Sequence, residues 1–201
     1  MRMVALVLTA ALASATALAQ QSVPPPPQPV PDQPAAASAD ALKGPSLEVT
    51  MKFILDKLNE IGKVNYDVAL YDAGGNFNGG SRLSVEKNNV VADPGKCQIS
   101  YHAWLEVDGK VQPQADYNFF LRDVRTITVM KAEKWIQDYG AGTSNPGGRV
   151  EVTPDTFFLV VKQTKGKEDR FALDEVMANR IAKAMIHAVE LCGAGSKPEP
   201  F

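Results

Sequence analysis

The stretch that decides the fold is Gln98-Ile99-Ser100-Tyr101-His102-Ala103-Trp104-Leu105-Glu106-Val107, closed by Asp108-Gly109. Ile99, Tyr101, Ala103, Leu105 and Val107 recur at every second position. A period of two puts them on one face, so the segment reads as a half-buried β-strand. Asp-Gly tolerates the positive φ angles of a two-residue hairpin, so the chain should turn back antiparallel.

The same period appears upstream. Val64, Tyr66, Val68 and Leu70 alternate with Asn65, Asp67 and Ala69. Asp72 to Gly80 is a Gly- and Asn-rich turn, and residues 81–92 carry one or two short strands with Leu83, Val85, Val90 and Val91. Asp93-Pro94-Gly95 is a further turn. Downstream, strands are expected near 117–121 and 124–131, followed by a Gly/Ser/Asn-rich loop at 140–149. Thr156 to Lys162 is apolar on both faces, which marks a central strand. Lys165 to Asp169 turns the chain, and 170–173 is a last short strand.

Two helices flank these strands. Leu47, Met51, Ile54, Leu55, Leu58 and Ile61 share one stripe of a helix over 46–61. Ser46 caps its start and Gly62 suits its end. Met177, Ile181, Ala184, Met185, Ala188 and Cys192 share a face of a helix over 174–191, with Asp174 as its cap and Gly193 as its stop. Strands joined by turns rather than helices imply an α+β fold. We therefore expect a mostly antiparallel curled sheet or barrel of about seven strands, with an N-terminal helix and a closing C-terminal helix.

The ends of the 201-residue chain read differently from its middle. Arg2, the Met/Val/Ala/Leu-rich run of residues 3–15 and Ala17-Leu18-Ala19 form a secretory signal over 1–19, with cleavage between Ala19 and Gln20. Seven of the 14 prolines fall between Pro24 and Pro34. Residues 20–43 therefore read as an extended, disordered Pro/Ala-rich tether. Residues 44–193 are of single-domain size, and 194–201 form a flexible tail. No later segment is apolar enough for an integral membrane span, so the expected location is periplasmic or secreted.

That order of elements resembles the pleckstrin-homology-like (PH-like) superfold. Three segments are also similar to a loose group of uncharacterised exported bacterial proteins. They are Ser46 to Ile54, Cys97 to Tyr101, and Ala178 to Gly193. These are packing motifs, and the resemblance implies no activity. Phosphoinositide binding is not carried over, because the turn Asp72 to Asn78 has no basic residue.

The chemistry-bearing residues are few. The charge of −2, with 21 Lys+Arg against 23 Asp+Glu, gives no basic excess for nucleic acid. Two cysteines, Cys97 and Cys192, form an even count. In an oxidising compartment they are expected to pair, the alternative being two buried thiols. The two histidines, His102 and His187, have no metal-ligand spacing, so no metal site is expected. The glycine-rich stretch 140–148 lacks G-K-[ST] and is not a phosphate loop, and no cofactor motif occurs. Tyr101, His102 and Trp104 are the candidate binding surface, with His102 and Trp104 opposite Tyr101 on the strand. The competing expectation is that the N-terminal helix or a long loop covers Trp104, since something must receive the helix's apolar stripe.

Together these features point to an exported, non-catalytic binding domain on a proline-rich tether, its partner an unknown protein or cell-envelope component. Two other readings stay open. One is a small-molecule carrier using the barrel interior. The other is a hydrolase whose acidic or Ser/His residues meet only in the fold.

Overall fold

The first helix, α1 (Leu47–Ile61), starts where the sequence places its cap: the Ser46 hydroxyl accepts the Val49 N–H at 3.4 Å. It ends at Gly62, whose φ of 62° suits a residue without Cβ. The computed structural model describes residues 44–139 and 147–193. The signal with Ala19 and Gln20, the tether, residues 140–146 of the loop and the tail 194–201 lie outside the described residues.

Nine strands follow in two sheets. β1 (Lys63–Tyr71), β2 (Phe77–Asp93), β3 (Gln98–Val107), β4 (Lys110–Val111), β5 (Ala115–Phe120) and β7 (Arg149–Thr153) form the larger sheet. Its order is β4-β3-β2-β1-β7, with β5 also paired to β3. The smaller sheet runs β6 (Val124–Lys131), β8 (Phe157–Gln163), β9 (Glu168–Leu173), with β8 in the centre. A 3-10 turn at Leu121–Asp123 carries the chain from β5 into β6. A short helix, α2 (Ala132–Tyr139), lies between β6 and β7 in the chain and so bridges the two sheets. The closing helix α3 (Glu175–Leu191) is capped by Asp174, whose carboxylate accepts the Met177 N–H at 2.8 Å.

The expected α+β fold is therefore present, antiparallel in all its described pairings, with a helix at each end. Two details differ from the sequence reading. There are nine strands rather than about seven, and α2 stands where no element was expected. The strands also form no closed barrel: among the described residues no pairing joins the larger sheet to the smaller one.

Two apolar clusters hold the layers. In the first, Met51, Ile54 and Leu58 of α1 and Ile181 and Met185 of α3 meet Ile99, Phe119 and Leu159. In the second, Tyr66, Val150 and Val152 of the larger sheet meet Phe158 and Val160 of the smaller. β8 serves both, with Leu159 and Val161 in one cluster and Phe158 and Val160 in the other. Burying side chains of this size stabilises by about 1.5–3 kcal/mol each.

One irregularity aims the side chains of β2. Asn88 pairs with His102 and Val91 pairs with Ser100, so Asn89 and Val90 together face Tyr101. This is a β-bulge, with Asn89 at φ 51°. It exchanges the inward phase of the strand. Lys87 shares the inner face before it, while Val90 is buried and Val91 is exposed after it. The backbone of Val90, displaced from the ladder, is held by α1. Asn59 donates to the Val90 carbonyl at 3.3 Å and accepts the Val90 N–H at 3.2 Å.

Candidate functional site

Period-two alternation builds one wall of a cleft between the sheets. On the inner face of the larger sheet, Leu83 and Val85 of β2 lie across from Val107 and Leu105 of β3, and Lys87 lies across from Ala103. Tyr66 of β1 sits beside Leu83. The edge strand β9 supplies the facing wall with Asp169, Arg170 and Ala172. The cavity measures about 330 Å³, and Trp104, Gln112, Pro113, Tyr117, Phe158 and Glu168 also border it. The wall is mostly apolar, with a few charged groups converging on it, which is the usual make-up of a small-molecule site.

Lys87 is the central charged group. Its Nζ lies 4.1 Å from the centre of the Tyr101 ring and 4.4 Å from that of Phe171. Tyr101 is itself stacked on Tyr117 at 5.6 Å and meets Phe171 edge-on at 5.2 Å. Among the described residues no carboxylate lies within ion-pair distance of the amine. Desolvation in this aromatic cage lowers the Lys87 pKa to about 7; the charge of Asp169 opposes the shift and Arg170 adds to it.

Asp169 is buried and saturated by neutral partners. One oxygen accepts the Tyr101 hydroxyl and the other accepts the Gln163 amide at 2.8 Å. Burial, and then this bond to Asp169, push the Tyr101 phenol well above the usual tyrosine range. The Arg170 guanidinium lies over Trp135, 3.8 Å from the ring centre. The Trp135 indole donates to Glu168 at 3.1 Å, and Glu168 stands 3.6 Å from Arg170. The acidic and basic groups at the rim are therefore mutually engaged.

The three residues of the expected surface separate. Tyr101 is buried on the inner face. His102 and Trp104 are half-buried on the outer one. His102 Nδ1 is 2.8 Å from Asp116 and its Nε2 is 3.0 Å from Gln114. Those two hydrogen bonds raise the imidazole pKa. The Trp104 ring lies under the Lys63 ammonium at 4.2 Å. Helix α1 does not cover it. The stripe of α1 goes to α3 and to the opposite face of the sheet, because Ile99 and Phe119 are the apolar surface on offer there. His187 bonds the Pro45 carbonyl at 2.9 Å and ties α3 to the segment before α1. The Cys97–Cys192 disulfide is formed, with a Cα–Cα distance of 6.0 Å.

Lys87, Asp169 and Arg170 were not singled out by sequence reasoning. A signal for two of them was present. Lys87 continues the inward register of Leu83 and Val85, and Asp169 shares the register of Phe171 and Leu173. A charge in an inward position is the mark of a built polar site. No protein family, curated protein or solved structure matches the chain.

Proposed function

We propose that the chain is an exported, non-catalytic binding domain whose ligand is a small, largely apolar molecule held between the two sheets. The observation that carries the reading is the cleft of about 330 Å³, walled by Tyr66, Leu83, Leu105 and Phe158 and entered by Lys87. A cavity of this size suits a molecule of drug-like or metabolite dimensions. Export rests on the signal and tether read in residues 1–43 and accords with the disulfide. Among the described residues no helix is long and apolar enough to cross a membrane. The carrier reading, placed below protein or envelope binding on sequence grounds and there tied to a barrel interior, moves ahead on the cleft between the two sheets.

Native mass spectrometry of the full chain, purified through bacterial export, tests this. A co-purifying small molecule is expected, and it should be lost in an Ala103→Trp variant that fills the cleft. Bare protein from several hosts, or a bound species indifferent to Ala103→Trp, would overturn the proposal. The denatured mass reports signal cleavage in the same experiment.

A further inference from the structure

We propose that Lys87 captures its ligand covalently, as an imine with a small apolar aldehyde or ketone seated in the inter-sheet cleft. This rests on the carrier reading above and names the ligand class for it.

Three features carry the inference. First, the amine borders a half-open cleft of about 330 Å³, large enough for a substituent of several carbons, with Ala103 opposite it across the strands. Second, it has no fixed counter-ion among the described residues. The one buried carboxylate near it, Asp169, is already occupied by Tyr101 and Gln163. An amine paired tightly to a carboxylate would be held as ammonium; this one has only the weaker attraction of the Tyr101 and Phe171 ring faces, and its desolvation outweighs it. Third, the charged groups that line the cleft from β9 are Glu168, Asp169 and Arg170, and Glu168 and Arg170 are engaged with each other and with Trp135. The site thus lacks a free cationic clamp for an anion, and its distinguishing group is a desolvated amine.

The titration of Lys87 fits this use. With a pKa of about 7, close to half of the molecules carry the free base at neutral pH. An ordinary lysine offers on the order of one in a thousand. Desolvation is a recognised way to activate a lysine toward carbonyls.

The chemistry balances without an added redox partner. The Nζ lone pair forms a C–N bond to the carbonyl carbon, and the C=O π electrons move to oxygen. A proton passes from nitrogen to that oxygen to give the carbinolamine. Protonation of the hydroxyl by solvent and loss of water leave the protonated C=N–H, which returns that proton to solvent to give the imine. Water is the only by-product, and its re-entry reverses the capture.

The test uses the disulfide-bonded full chain, cinnamaldehyde as the probe, and cyanoborohydride to reduce any imine to a stable secondary amine. Peptide mapping at pH 7 should find the adduct on Lys87 at least about tenfold above any other lysine. Lys87→Arg and Ala103→Trp should each abolish that preference. Adduct spread evenly over the lysines would overturn the proposal, as would an Ala103→Trp protein still labelled selectively at Lys87. Cinnamyl alcohol, which has the same body without the carbonyl, separates the two readings. If the alcohol perturbs the tryptophan fluorescence while Lys87 is not preferred by the aldehyde, imine capture falls and the cleft reading stands. If neither compound engages the protein, both fall.

Discussion

Asn59 shows how one side chain can decide a strand's path. The bulge in β2 leaves the N–H and C=O of Val90 outside the ladder, and the Asn59 amide satisfies both. A buried backbone group left unpaired costs about 1–3 kcal/mol. Asn59→Ala should therefore lower stability by about 2–3 kcal/mol in urea denaturation. A loss below about 0.5 kcal/mol, the range of an ordinary surface change, would mean that the clamp is not needed. Lys87 makes a second prediction at this scale. Its pKa is near 10.4 in an unfolded chain and about 7 in the folded one. Between those values the unfolded chain binds more protons, so stability rises with pH. That contribution is fully present above the unfolded value and is lost as pH falls toward 7. The folding constant should climb between pH 7 and 9, by up to about tenfold per pH unit, and the climb should shrink in Lys87→Met. Asp169 and Arg170 also face the amine, and Tyr101, pushed well above the usual tyrosine range, titrates above that window. Urea midpoints at pH 7, 8 and 9 measure the effect; equal slopes in both proteins would refute it.

Elements with a strong period were legible in the sequence. Both terminal helices, their Ser46 and Asp174 caps, the Asp108-Gly109 hairpin and the central position of β8 follow from local pattern. Helix α2 was missed although Ala132, Trp135, Ile136 and Tyr139 carry helical spacing. It is only eight residues long and follows β6 without an intervening turn or cap, so two periods run together. The phase change in β2 was hidden for a related reason. A bulge shifts the register by one residue, and a strand read as strictly alternating then breaks into two pieces. Close approach between elements is also invisible to pattern. At Gly80, opposite Ala69, an added Cβ would lie 2.4 Å from the Val68 carbonyl oxygen. Gly80→Ala should force β1 and β2 apart and cost about 1–3 kcal/mol, seen as a lower thermal midpoint. An unchanged midpoint would show that the hairpin yields freely there.

At the scale of the whole molecule, strand partnership was the illegible part. β1 pairs with β7, some eighty residues later in the chain, and β3 with β5 past the intervening β4. Those choices depend on which apolar faces find each other, and alternation alone says only that a face exists. The same ignorance left barrel and open sheet equally available, and it hid the meeting of Lys87 with Asp169 across two sheets. The cysteine pairing, by contrast, was legible from parity and compartment. Its bridge joins the turn before β3 to the end of α3 across 95 residues. Reducing it, or replacing Cys97 and Cys192 by Ser, should cost about 2–5 kcal/mol in urea denaturation. Equal midpoints for the oxidised and doubly substituted proteins would show that packing of α3 suffices.

The same bridge changes what a protease can achieve. A single cut at any peptide bond between Cys97 and Cys192 opens the backbone but releases nothing, because the two halves stay tied through sulfur. A nicked molecule would keep its full mass on a non-reducing gel and fall into two bands only when thiol is added. Damage within nearly half of the sequence therefore leaves α3 and the larger sheet covalently attached, and the severed ends remain close enough to re-pack.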